Sequence, residues 1–230
     1  MVNGKRIGAV VPAAGKGKRM GGDIAKQFLM LKGKPIFIHT LEGLSAMQEV
    51  DIIIVAAAHG EMEAVQKYIA EYRISKVSAV VEGGDERQDS VWNCLQKMNT
   101  ENVDIVVVHD AVRPLFTRDL VLSVCHAAVE AGAAIPVVSP KDTVKIINNE
   151  GYVASTMERA SLAIVQTPQA FKFSLIYQAY EKAMNERFYG TDDACLVERL
   201  GMKVKVVEGS YRNIKITTED DIGLAQGFLA

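Results

Sequence analysis

The chain has 230 residues, 49% of them hydrophobic and 23% charged, and its 26 Lys plus Arg against 28 Asp plus Glu give a formal charge of −2. This composition excludes disordered, collagenous and polycationic classes, and a chain of this length buries about 70–75% of its unfolded surface without disulfide staples. It exerts no global pull on nucleic acid or anionic membrane, so an anionic ligand has to be met by a local cluster of cations.

Short β-rich runs alternate with longer amphipathic runs, the pattern of a mostly parallel sheet covered by helices. The first run, 7–12, predicts a buried strand. Lys5-Arg6 ahead of it has the outline of an export signal, but Pro12 and a Gly/Lys-rich loop follow at once. A helix is then expected over 35–47, a strand over 51–56, a helix over 61–72 and a strand over 76–81. In the helix expected over 85–98, Val91, Leu95 and Met98 form a stripe at three- and four-residue spacing. A strand over 104–109, a helix over 117–131 and a strand over 133–138 continue the alternation. It breaks at 141–159, where β-type residues flank Asn148-Asn149-Glu150-Gly151, a turn cluster suited to a hairpin. Beyond it come a strand over 162–166, helices over 174–184 and 192–200, a strand over 203–207 and an extended piece over 213–216. A last helix over 218–229 opens on Thr218 followed by three acids.

No linker or internal repeat appears, so residues 1–230 read as a single domain with 139–160 as an arm. An isolated hairpin is marginal in water, so the arm needs the body or a second subunit to lie against. Cys94, Cys125 and Cys195 lie far apart with no CxxC pair, which suits reduced thiols and a cytoplasmic location. The longest apolar runs fall well short of the roughly 18 residues of a membrane span.

The strongest chemical signal is Pro12-Ala13-Ala14-Gly15-Lys16-Gly17-Lys18-Arg19-Met20 at the end of the first strand. Small residues let the backbone approach a ligand and aim N–H groups at it, while Lys16, Lys18, Arg19 and the nearby Lys26 add charge, so polyphosphate is the expected ligand. The spacing fits neither a Walker A loop nor GxGxxG. Three more clusters fall at strand ends, where open parallel sheets bind ligands. They are Glu82-Gly83-Gly84-Asp85-Glu86-Arg87-Gln88-Asp89-Ser90, His109-Asp110-Ala111-Val112-Arg113-Pro114 and Gln166-Thr167-Pro168-Gln169. Lys215 projects opposite its apolar neighbours Ile214 and Ile216. No residue spacing marks a zinc site or a serine-hydrolase elbow.

Together, PAAGKGKRM at 12–20, AKQF at 25–28, EGGDERQDSV at 82–91, HDAVRP at 109–114, KDTVK at 141–145, QTPQAF at 166–171, TDDACLVE at 191–198 and NIKITTEDD at 213–221 resemble the 2-C-methyl-D-erythritol 4-phosphate cytidylyltransferase family over nearly the whole chain. The resemblance implies an α/β fold, a Rossmann-like three-layer sandwich of the nucleotide-diphospho-sugar transferase type with a protruding β-arm. It implies transfer of CMP from CTP to methylerythritol phosphate. By the same resemblance Arg19 and Lys26 stabilise the pentacoordinate transition state, and Arg159 and Lys215 hold the attacking phosphate. Ala13, Ala14, Gly15 and Gly17 line the triphosphate loop. Gly84, Asp85 and Ser90 contact cytosine, and Asp110, Ala111, Arg113, Thr143, Thr167 and Thr191 surround the ribose and the methylerythritol moiety. Mg²⁺ is implied as a companion of the CTP phosphates, with no side chain assigned as its ligand. A homodimer is implied, the arm embracing its partner so that Thr143 and Arg159 complete the neighbouring site. HDAVRP also suits the related ribitol-5-phosphate cytidylyltransferases, the runner-up; a nucleotide-binding regulatory protein without turnover is the reading from another class.

Overall fold

The computed structural model describes residues 2–15 and 25–229. In chain order these form β1 (Ile7–Ala13), a small ladder of β2 (Met30–Leu31) and β3 (Lys34–Pro35), α1 (Ile36–Ala46), β4 (Val50–Ala57), α2 (Met62–Glu71), β5 (Val77–Glu82), α3 (Arg87–Met98), β6 (Ile105–Val108), α4 (Arg118–Ala131) and β7 (Ala133–Val138). The hairpin β8 (Lys145–Ile147) and β9 (Val153–Thr156) follows, then β10 (Ile164–Val165), β11 (Gln169–Lys172), α5 (Phe173–Asn185), α6 (Asp193–Arg199), β12 (Lys205–Glu208) and α7 (Glu219–Phe228).

The central eight-stranded sheet runs β5-β4-β1-β6-β11-β7-β12, with the short β10 also paired to β7; it is parallel except for β10 and β11. Its middle strands β1 and β6 are apolar on both faces, as strands covered on both sides require. Ile7, Ala9 and Val11 of β1 join Ile53, Val55, Ile105 and Val107 in a core with Leu41 and Leu44 of α1, Val65 of α2 and Val121 and Val124 of α4. Val10, Ile54, Val106 and Val108 face the opposite way, against Val91, Leu95 and Met98 of α3, Ile176 and Tyr180 of α5, and Leu196 and Val197 of α6. The stripe expected on α3 is thus its buried face. A smaller cluster of Leu31, Ile36, Ile216 and Ala225 seats α7. Thr218 and Asp221 cap α7 reciprocally, satisfying two N–H groups that a helix start leaves unpaired. All three cysteines are free, and burial pushes the Cys125 thiol up to about 12.

Three expectations need correction. The segment 213–216 is extended but joins no strand ladder; Ile216 N–H instead donates to Val112 O at 2.9 Å. The strand expected over 162–166 shrinks to Ile164–Val165, and β11 has no counterpart among the expected strands. These two belong together, because β10 and β11 lie on the same edge of β7, opposite β12. Ile164 faces Val138 and Ala170 faces Ala134, so six steps along one strand run against four along the other, and two residues are looped out. Thr167-Pro168, joined by a cis peptide bond, occupies the break. A strand interruption of this kind redirects side chains locally. Pairing of Gln169 with Val108 then sets Thr167 beside His109 and Asp110.

The hairpin forms where the turn chemistry indicates. Asn148 Oδ1 accepts from Glu150 N and Tyr152 N at 3.1 and 2.9 Å, and Gly151 takes φ +85°. Every residue of its two strands is exposed.

Phe171 is fully buried on β11, which runs antiparallel between β6 and β7. Phe171→Ala is expected to lower the unfolding free energy by about 3–5 kcal/mol, read from urea denaturation; a loss below about 1 kcal/mol would mean that β11 lies outside the cooperative core.

Candidate active site

The carboxyl ends of β1, β5 and β6 and the start of β11 meet at one edge of the sheet. At the end of β1, Ala13 and Ala14 are buried, and Ala14 touches the loop after β5 so closely that a Cβ on Gly83 would lie 2.3 Å from its Cβ. Only glycine admits that approach. Gly84 N–H donates to Ser90 Oγ at 3.1 Å, and α3 begins with a capping box in which Glu86 N–H donates to Asp89 Oδ2 at 2.9 Å. Three small-residue segments are thereby held against one another ahead of the first turn of α3.

Asp110, 6% exposed, is the electrostatic centre of this edge. Arg87 Nε donates to its Oδ1 at 3.0 Å and Lys215 Nζ to its Oδ2 at 2.8 Å, while Arg113 Nε stands 3.6 Å from Oδ2, an ion pair too long for a hydrogen bond. Burial alone would raise this carboxyl, but the charges of Arg87, Lys215 and Arg113 hold it far below the usual carboxylate range. Arg87 also forks onto Asp193, with Nη1 and Nη2 at 3.0 and 2.8 Å from the two carboxylate oxygens, and Tyr180 O–H donates to the same fully buried carboxylate. Arg113 spends Nη1 on Asn213 O at 2.7 Å. Lys26 is buried, and its Nζ donates to Thr217 O at 3.2 Å, two residues beyond Lys215.

The backbone of this cluster is fixed by an ordered chain of donors. His109 Nε2 lies 3.0 Å from Arg113 O, which can only accept, so Nε2 carries the proton and Nδ1 accepts from Thr167 Oγ1 at 3.0 Å. The Thr167 oxygen in turn accepts Asp110 N–H at 3.1 Å. Asn213 Nδ2 donates to Thr167 O at 2.8 Å and closes the network. The Thr167 hydroxyl proton is therefore committed to His109, and toward a ligand this hydroxyl can only accept. Burial lowers His109 to about 4, so the imidazole is neutral near pH 7. In the unfolded chain it titrates near the ordinary value of about 6.5. Between those values the unfolded state binds the extra proton, so stability falls as the pH drops from about 6.5 to 4 and this contribution levels off below. We expect up to about 3 kcal/mol of such loss in urea unfolding at stepped pH. A His109→Gln variant should flatten the curve in that window, and an unchanged slope would place the titration elsewhere.

The structure gathers most of the candidate residues. Ala13, Ala14, Gly84, Ser90, Asp110, Ala111, Arg113, Thr167, Lys215 and Lys26 belong to this edge or its loops, with Ala111 O accepting from Thr40 Oγ1 at 2.9 Å. Gly15, Asp85 and Thr191 are exposed at its margins. Arg159 and Thr143 stand apart, both exposed near the hairpin, where Arg159 Nη1 donates to Lys141 O at 2.9 Å. Gly17 and Arg19 lie outside the described residues. Arg87, Asp193, Tyr180, His109 and Asn213 were given no role by the motifs. Arg87 and Asp193 sit inside EGGDERQDSV and TDDACLVE, but a pairing across 106 positions leaves no local signal. A cavity of about 300 Å³ at the opposite end of the sheet, lined by Lys5, Asp104, Ile105 and Lys172, offers no comparable convergence, since Lys5 is engaged by Asp104 at 3.1 Å.

Residues 7–230 match the family model described as IspD, 2-C-methyl-D-erythritol 4-phosphate cytidylyltransferase. A relative of that name from Syntrophus aciditrophicus is 45% identical over 97% of this chain and 96% of its own, and one from Geobacillus kaustophilus is 45% identical over 96% of each. The solved 4-diphosphocytidyl-2C-methyl-D-erythritol synthase of Anaerococcus prevotii superposes with TM-score 0.86 at 35% identity, covering 99% of this chain and 97% of that one. The 2-C-methyl-D-erythritol 4-phosphate cytidylyltransferase of Thermus thermophilus gives TM-score 0.79 at 30% identity, covering 97% and 98%. With its motifs, its sheet and its clustered cations in agreement, the chain belongs to the 2-C-methyl-D-erythritol 4-phosphate cytidylyltransferase family.

Proposed function

We infer that the chain transfers CMP from CTP to 2-C-methyl-D-erythritol 4-phosphate, releasing pyrophosphate, within the isoprenoid pathway that uses this intermediate. The observation that carries the reading beyond family membership is that Lys26, far away in sequence, is held on the carbonyl of Thr217, two residues beyond Lys215, whose ammonium meets Asp110. A phosphate monoester is already an anionic nucleophile, so the reaction needs no strong general base. It needs in-line alignment and neutralisation of charge growing at the attacked phosphate.

In this reading Lys26, with Arg19, faces the α-phosphate of CTP, and Lys215 holds the attacking phosphate. Small residues at Ala13, Ala14 and Gly15, with Gly17, let backbone N–H groups approach the triphosphate, and Gly84, Asp85 and Ser90 receive the cytosine. Asp110, Ala111, Arg113, Thr167 and Thr191 surround the ribose and the methylerythritol moiety, and Asp110 keeps acceptor lone pairs for their hydroxyls; neutral His109 and acceptor-only Thr167 hold that carboxylate's backbone in place.

Asp110 has a cation on each oxygen, and no group of three or more His, Cys, Asp or Glu gathers among the described residues. That donor set suits a magnesium ion carried on the CTP phosphates better than one caged by the protein. When bound, it would neutralise triphosphate charge. A homodimer is proposed as well. The exposed Ile146, Ile147, Tyr152 and Val153 of the hairpin support it, and Arg159 and Thr143 would then serve the neighbouring site. The three free thiols support a cytoplasmic location. Among the described residues no helix is long and apolar enough to cross a membrane.

Purified protein with CTP and Mg²⁺ should release pyrophosphate with methylerythritol phosphate and not with ribitol 5-phosphate; the reverse preference would overturn the substrate assignment. Lys215 is partly exposed, and Asp110 keeps Arg87 and Arg113 without it. Lys215→Ala and the stem-preserving Lys26→Met should each lower kcat by about 100-fold or more while shifting Tm by only a few degrees. Comparable large losses of folding would instead mark these lysines as structural.

A further inference from the structure

Arg87 has no role in the chemistry proposed above, yet it reaches three of the segments that build the site. It is the first residue of α3, directly behind the Gly83–Glu86 loop. Its Nε holds Oδ1 of Asp110 at 3.0 Å in the loop after β6, and its two terminal nitrogens hold the fully buried Asp193 at the start of α6, two residues after Thr191. Tyr180 of α5 fixes Asp193 from behind. A planar fork holds both carboxylates in fixed geometry from three separate nitrogens, which an ammonium, with its donors on a single atom, does not reproduce. With Oδ1 taken by Arg87, Oδ2 is the oxygen left to Lys215, at 2.8 Å.

Resting on the cytidylyltransferase reading, we propose that Arg87, anchored by Asp193 and Tyr180, is a positioning residue for the acceptor half of the site: it sets the rotation of the Asp110 carboxylate and, through it, the place of the Lys215 ammonium that holds the acceptor phosphate. It touches neither substrate. Its contribution is orientation, and a small misplacement of groups that align a nucleophile costs rate steeply.

The test compares wild type, Arg87→Lys and the double variant Arg87→Met/Asp193→Asn in steady-state pyrophosphate release, varying each substrate in turn. Removing Arg87 alone would strand the buried Asp193 charge and destabilise the chain strongly. In the double variant, the amide that replaces the Asp193 carboxylate is neutral and still accepts from Tyr180, so folding is retained; circular dichroism and Tm monitor it. We expect kcat/KM for methylerythritol phosphate to fall at least 30-fold in the double variant, with KM for CTP within about threefold of wild type. Arg87→Lys should recover only part of that loss, because it restores charge without the fork. A folded double variant with wild-type kinetics overturns the positioning role, as does a loss confined to CTP or full recovery by Arg87→Lys. Wild-type protein that releases no pyrophosphate overturns the cytidylyltransferase reading itself, and the positioning role with it.

Discussion

A carboxylate withdrawn from water has to be met by positive charge or the fold does not keep it. Asp110 is met from three directions. Arg87 comes from the start of α3, Arg113 from the same loop three residues on, and Lys215 from the extended segment ahead of α7. These pieces are distant in sequence and share no secondary structure. Drawing all three away would leave a buried ion without partners, a cost of several kcal/mol. Asp110 thus ties the loops of this edge into one body, and the parallel strands behind them supply the rigid support.

The same arrangement solves a problem peculiar to anion handling. Cations crowded together without ligand repel one another, and a site built from them alone would resist folding. Here Arg87, Arg113 and Lys215 are offset by Asp110 and Asp193, leaving an excess of one positive charge among these five groups. The cluster is thus nearly balanced by its own carboxylates and keeps a small positive excess. The buried, neutral His109 belongs to the same economy: it completes hydrogen bonds to Thr167 and to the Arg113 carbonyl without adding a further charge beside three cations.

Much of this could be read from residue order. Continuous apolar runs such as 7–12 and 52–56 announced doubly covered strands, and the spacing of Val91, Leu95 and Met98 announced the buried face of α3, because those signals are local and periodic. Asp110 and Lys215 were visible as polar residues at strand ends. What could not be read was who pairs with whom: Arg87 and Asp193 lie in separate motifs, and only the packing of α3 against α6 and α5 brings them to hydrogen-bond distance. β11 was missed because its four residues follow Thr167-Pro168, a sequence that signals a loop; their strand character comes from β6 and β7 on either side.

The interruption between β10 and β11 has a further consequence. Side chains on a strand alternate with a period of two, and the excess at the break is itself two residues, so Ala170 and Phe171 resume on the faces that an unbroken strand would give them. The turn that carries Thr167 lies outside the ladder, so β6 and β7 on either side, rather than the length of that turn, decide which layer receives the Phe171 ring.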